Sequence, residues 1–231
     1  TCGNELDAWY TSAMAGYNLT DEIAFLTHLL AQRVPDLAHI QPGRILHGVS
    51  QARSRSRYGV YAQCHALRFK HGSRELISRG WKFVWPEIRF GGQEVLYYIT
   101  YFLPRFLDQP PQERLNTLLH ELYHISPKFN GDLRRFNGRN EFHGSGSDDF
   151  DGEVARLGAK VAREIDIERF QFLKLNFEEL STRFGAVVGN KLKRFAPRRV
   201  KLDKHAKAPI IPPLTASEPP IKNGSQRMLF G

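Results

Sequence analysis

The stretch Leu115-Asn116-Thr117-Leu118-Leu119-His120-Glu121-Leu122-Tyr123-His124-Ile125 decides how this chain is read. Leu115, Leu118, Leu119, Leu122 and Ile125 recur at the spacing of one helix face, so the segment predicts an amphipathic helix with that face in the core. Asp108-Gln109-Pro110-Pro111 precedes it as a helix start, Asp108 being the expected N-cap, and Pro127 is the expected stop. Two histidines four residues apart lie on one side of such a helix, so His120 and His124 can bind one ion through their ring nitrogens. Glu121 sits between them in sequence but is offset around the helix, where its carboxylate can reach a water beside the ion. A His-Glu-x-x-His run therefore points to metal-assisted hydrolysis, with Glu121 as general base.

A catalytic zinc site needs a third protein ligand and one open position. His143 is the leading candidate, separated from His124 by 18 intervening residues in a Gly/Asn/Arg-rich loop that ends in His143-Gly144-Ser145-Gly146-Ser147. The competitors are carboxylates of the next helix, Asp148, Asp149 and Glu153. The chain holds two cysteines, Cys2 and Cys64, and no C-x-x-C pair. Reduced thiols are expected, and a metal here rests on histidine and carboxylate.

The pattern on either side predicts an α+β domain. Thr20-Asp21-Glu22 starts a helix through Ile23, Phe25, Leu26, Leu29, Leu30 and Val34, which Pro35 ends. Strands are expected over 44–50, 59–69, 82–90 and 94–103, with an exposed loop of alternating Arg and Ser at 53–57 and a Gly91-Gly92 hairpin turn. The last of these strands, directly before the His-Glu-x-x-His helix, is expected to be the sheet edge that pairs with an extended substrate. An acidic first turn opens a helix from about residue 148, residues 170–175 read as a strand, 177–184 as a short helix, and Val187-Val188 as the start of a last strand.

Charge divides the chain. Of 33 Lys/Arg and 24 Asp/Glu, 10 and 2 lie from Gly189 onward, a net +8, and the rest is nearly neutral. The expected organisation is one domain over 1–188 and a basic, Pro-containing flexible tail over 189–231. Lys191, Lys193, Arg194, Arg198, Arg199 and Lys201 are candidates for salt-sensitive, nonspecific contact with nucleic-acid phosphates. No apolar run approaches the roughly 20 residues that cross a bilayer, so no membrane partner and a cytoplasmic location are expected.

The order of a helix, a small sheet, the Pro-preceded His120-Glu121-Leu122-Tyr123-His124-Ile125 helix, a Gly/Arg-rich loop with His143 and an acidic helix resembles the minimal zincin metallopeptidases of phages and prophages. More distantly it resembles the SprT/Spartan type. The likeness spans about residues 20–185. It implies a zincin-like fold with a small, mostly antiparallel sheet on the active-site helix, Zn2+ as cofactor, and a protein or peptide substrate. Through the Spartan type it implies action on DNA-associated proteins. The terminal Gln226-Arg227-Met228-Leu229-Phe230 looks like the peptide by which bacterial polymerases and repair proteins dock on a DNA sliding clamp, with Leu229 and Phe230 as apolar anchors and Gln226 as a directional hydrogen bond. The rival reading is a non-catalytic, zinc-binding adaptor associated with DNA or the clamp.

Overall fold

The computed structural model describes residues 16–53, 59–136 and 147–201. In chain order these form β1 (Tyr17–Asn18), α1 (Leu19–Arg33), β2 (Ile45–Gln51), β3 (Ala62–Ala66), β4 (Glu75–Ser78), β5 (Trp81–Val84), β6 (Arg89–Phe90), β7 (Gln93–Glu94), β8 (Tyr97–Leu103), α2 (Pro111–Tyr123), α3 (Ser147–Glu164), α4 (Gln171–Lys174), α5 (Phe177–Phe184), β9 (Val187–Val188) and β10 (Arg198–Lys201). This is the expected α+β class, a small zincin-like arrangement of short sheets and helices. Among the described residues no helix is long and apolar enough to cross a membrane.

The central sheet has the order β2-β8-β3, with β2 parallel and β3 antiparallel to β8. Strand alternation gives each face its own core. Ile45, Tyr97, Ile99, Tyr101, Ala62 and Cys64 face the helices and join Leu118, Leu119 and Leu122 of α2 in the main core. Each fully buried Leu there contributes about 1.5–3 kcal/mol by leaving water. On the other face Tyr98 packs with Leu67 and Val95, and Leu46, Trp85, Ile88, Leu192 and Phe195 close around them.

This arrangement corrects the expected strand order. The 94–103 segment is not the sheet edge: β8 is the middle strand, and β3 is the edge beside α2. Tyr97, Ile99 and Tyr101 are fully buried on one face and Tyr98 nearly so on the other, which is the signature of a central strand. Gly91 and Gly92, both at positive φ, do make a two-residue hairpin turn, but it joins the short β6 and β7 rather than leading directly into β8. Residues 171–174 form a helical turn, not a strand, because Phe170, Phe172 and Leu173 are all buried and need more than one face of the chain to pack. Asp108 is not the cap of α2: Pro110 holds the N-cap position, and Asp108 accepts from Phe177 N–H at 3.4 Å.

Residues 189–201 are built into the fold. Asn190 C=O accepts from Val49 N–H at 2.8 Å, Leu192 and Phe195 cover the back of the central sheet, and β10 pairs antiparallel with β5. Gly48 makes room for this segment, since a Cβ there would lie 2.5 Å from Leu192 Cγ. From Leu202 onward the chain lies outside the described residues.

Candidate metal centre

Helix α2 begins on Pro110-Pro111 and is anchored at its far end by the segment that follows. His124 is its C-cap, so the motif ends the helix rather than lying within it. The chain turns there because Ile125 bridges to Leu133 and His124 C=O accepts from Arg134 N–H at 2.6 Å. Arg134 also donates through Nε to Tyr123 C=O at 2.7 Å, and its guanidinium lies 4.0 Å from the Tyr123 ring centroid. A cation at the C-terminal carbonyls suits the negative end of the helix dipole. Tyr123 thus packs against the core and also holds Arg134.

His120 and His124 present their Nε2 atoms to each other at 3.2 Å, with ring planes 80° apart. Two nitrogens bound to one tetrahedral zinc at its usual Zn–N length are separated by about 3.3 Å. The pair therefore fits one zinc ion between its Nε2 atoms. Among the described residues no group of three His, Cys, Asp or Glu side chains forms a metal site. His143 lies outside the described residues, as do the side chains of Asp148 and Asp149. Glu153 is engaged elsewhere: Arg156 donates to it at 3.0 and 2.6 Å and also reaches Asp36. Helix α3 itself packs on α2.

Glu121 is buried. Its Oε2 accepts from Cys64 N–H at 2.6 Å. Burial raises its carboxyl to about 7, and the Cys64 N–H, by favouring the charged form, offsets part of that rise. The source of this N–H follows from the strand pattern. Tyr61 C=O accepts from Phe102 N–H, and Leu67 N–H donates to Leu96 C=O, so odd-numbered residues of this strand and its ends turn toward the neighbouring backbone. The peptide groups of Ala62, Cys64 and Ala66 then point out from the sheet edge, and Cys64 meets Glu121.

Two more polar side chains lie close to this carboxylate and a third backs one of them, with little sign of any in the sequence. Cys64 is a free, buried thiol whose pKa is pushed well up, first by burial and then by Glu121. Tyr101 is pushed up by burial and by the charges of Glu121 and Cys64. Its hydroxyl lies 3.3 Å from His47 Nδ1, and burial lowers His47 to about 4. Period-two spacing in 45–49, 62–66 and 97–101 was the available signal, but it does not reveal which face meets α2.

The six basic candidates, Lys191, Lys193, Arg194, Arg198, Arg199 and Lys201, are all exposed. Gln226, Leu229 and Phe230 lie outside the described residues.

Comparison with known families supplies what geometry alone does not. The model of the family described as "Putative phage metallopeptidase" matches residues 17–169, which spans β1 to the turn after α3 and includes the histidine pair and Glu121. The chain belongs to this family. Membership makes it a phage-type metallopeptidase in general terms, a hydrolase that uses a metal. No curated protein and no solved structure matches the chain.

Proposed function

We propose that the protein is a zinc metallopeptidase in which His120, His124 and His143 hold the ion and Glu121 is the general base. The observation that carries this reading is the approach of two Nε2 atoms to 3.2 Å at the end of the helix that also carries the buried Glu121 carboxylate. A zinc ion held there supplies Lewis acidity, which acidifies water and polarises a peptide carbonyl. Glu121 Oε1 and Oε2 take up a proton from the attacking water and pass it to the departing amine. Burial raises the carboxyl's proton affinity for that transfer, while the Cys64 N–H fixes where the carboxylate sits. The edge of β3 offers outward peptide groups at Ala62 and Ala66 to which an extended peptide can add as a further strand.

Two recruitment devices complete the proposal. The exposed basic residues of 191–201 direct the enzyme to DNA-associated proteins, and the Gln226/Leu229/Phe230 peptide docks on a sliding clamp.

The test is elemental analysis alongside peptide hydrolysis for wild type, Glu121→Gln and His143→Ala. Glu121→Gln is expected to keep its zinc and to lose roughly 10²–10⁴-fold in rate. His143→Ala is expected to lose zinc. Hydrolysis at the wild-type rate in Glu121→Gln would refute the mechanism, and full zinc in His143→Ala would move the third ligand to a carboxylate. A bound zinc with no peptidase activity in wild type would favour the adaptor reading instead.

A further inference from the structure

Strands β4, β5 and β10 form a separate three-stranded sheet in the order β10-β5-β4. None of its residues is buried. Directly opposed residues share a face, so Arg199 opposite Phe83 opposite Leu76, and Lys201 opposite Trp81 opposite Ser78, lie together on one side. The Arg199 guanidinium confirms that alignment, lying 3.5 Å from the Trp81 ring centroid. Leu76 is 37% exposed on this face, and Ile77 and Val200 are 48% and 50% exposed on the other.

A sheet this small with both faces wet gains little from burial, and apolar groups so displayed mark an interaction surface. Its charge indicates the partner. Arg198, Arg199, Lys201 and Lys82 stand against a single acid, Glu75, which pairs with Lys82 at 2.7 Å on the opposite face. Arg79 adds another exposed cation at the β4–β5 turn. The basic segment looks poor in aromatics when read along the chain, yet strand pairing sets Trp81 and Phe83 among its cations.

We propose that this face binds single-stranded nucleic acid. A base stacks on Phe83 and on the Arg199 guanidinium plane that lies over the Trp81 ring, and the backbone phosphates meet Arg199, Lys201 and Arg79. Bases in a duplex already have both faces covered by their neighbours, so a flat aromatic platform selects an unstacked strand. An acidic peptide would use the cations but has no need of the rings. The proposal deepens the nucleic-acid part of the proposed function and stands apart from the peptidase chemistry.

The test is fluorescence anisotropy on the full chain with labelled oligodeoxythymidylate and oligouridylate of about 15 nucleotides, a duplex of equal length and an oligoglutamate peptide. Wild type is expected to bind one or both single strands more tightly than the duplex or the peptide, and the sugar preference identifies the natural strand. Trp81→Leu is expected to weaken that binding about 5- to 100-fold with its salt dependence unchanged, as loss of a base stack does, while Trp81→Phe stays within a few-fold of wild type. Arg199→Gln/Lys201→Gln is expected to reduce the slope of log affinity against log salt by about 1.4, two phosphates' worth. Lys204→Gln/Lys207→Gln, beyond the sheet, tests the tail. Wild-type affinity in Trp81→Leu, a preference for duplex or peptide, or loss confined to Lys204→Gln/Lys207→Gln would overturn this site while leaving nucleic-acid binding in place. No binding to any nucleic acid would overturn both.

Discussion

Replacing Tyr97 by Phe removes a single oxygen from beneath the segment that follows the histidine pair, and the structure sets the size of the effect. The Tyr97 side chain is fully buried at the start of β8. Its hydroxyl donates to Asp132 C=O at 2.8 Å and accepts from Gly131 N–H at 2.9 Å. Asp132 C=O has a second donor, Ser126 N–H at 3.3 Å, so it stays bonded when the hydroxyl is gone. Gly131 N–H then bears the larger cost, about 1–3 kcal/mol for a buried donor left without a partner, and the bond to Asp132 adds about 1 kcal/mol. The ring and its tilted contact with Phe129, at 5.1 Å between centroids, are retained, so no cavity contributes. The expected loss is about 2–4 kcal/mol, read as a lower urea midpoint with an unchanged slope. Hydrogen exchange at the Gly131 amide should accelerate at the same time. Because residues 126–136 lead from the histidine pair toward His143, zinc affinity should fall in the folded variant as well. A stability change below about 0.5 kcal/mol, or an unaltered Gly131 amide in a destabilised variant, would refute this account.

His47 predicts an acid-sensitive fold. Its folded-state pKa of about 4 lies below the ordinary 6.5, so the unfolded chain takes the proton first, and stability present above pH 6.5 is lost as pH falls toward 4. The loss approaches about 3 kcal/mol at the acid end, and His47→Met should flatten that part of a plot of urea midpoint against pH; an equally steep plot would assign the acid sensitivity to other groups. Arg114 is buried and donates to Gln109 C=O at 2.8 Å, Phe172 C=O at 3.0 Å and Leu175 C=O at 2.6 Å, so Arg114→Met should cost about 3–5 kcal/mol in calorimetry by leaving these carbonyls without their donor. A near-wild-type transition would show that water replaces the guanidinium. Gly131 combines φ +83° with a Cα that faces Arg68, so Gly131→Ala should lose about 2 kcal/mol or more in urea, both from backbone strain and from displacing the Arg68 side chain off Glu94. An unchanged urea midpoint would mean that Arg68 yields without cost.

Elements whose order comes from local chemistry were legible. The first helix, the helix at 177–184 with its Asn176/Glu179 capping box, and the Gly91-Gly92 turn all follow from residues adjacent in sequence. The histidine pair and Glu121 were legible for the same reason, since one helix turn fixes their relation. What depends on pairing distant segments was not. The 94–103 run has the β-favouring residues of either an edge or a central strand, and only the arrival of β2 on one side and β3 on the other makes it central. Composition misled at 189–201, where the lysines and arginines conceal Leu192 and Phe195, the two side chains that fasten the segment to the back of the sheet. The His47–Tyr101–Cys64 group escaped for a related reason: three strands contribute one residue each, and no one of them carries a signature.

The placement of Glu121 links the proposed base to the proposed substrate groove. Its carboxylate belongs to α2 but is held by a peptide N–H of β3, the strand at the sheet edge. An extended peptide adding to that edge would occupy the outward groups of Ala62 and Ala66, on either side of the one already given to Glu121. Substrate pairing and base orientation would then share a backbone segment of five residues. A shift in strand register by one residue would turn the Cys64 N–H inward and expose those of Gln63 and His65 instead. The buried Cys64 and Ala62 side chains oppose that shift, because it would carry them out of the core and replace them with Gln63 and His65. Small apolar residues at alternate positions of β3 thus fix the register, the register fixes which N–H reaches Glu121, and that bond fixes where the carboxylate sits. On this view the catalytic geometry depends as much on the pattern of an unremarkable edge strand as on the helix that carries the motif.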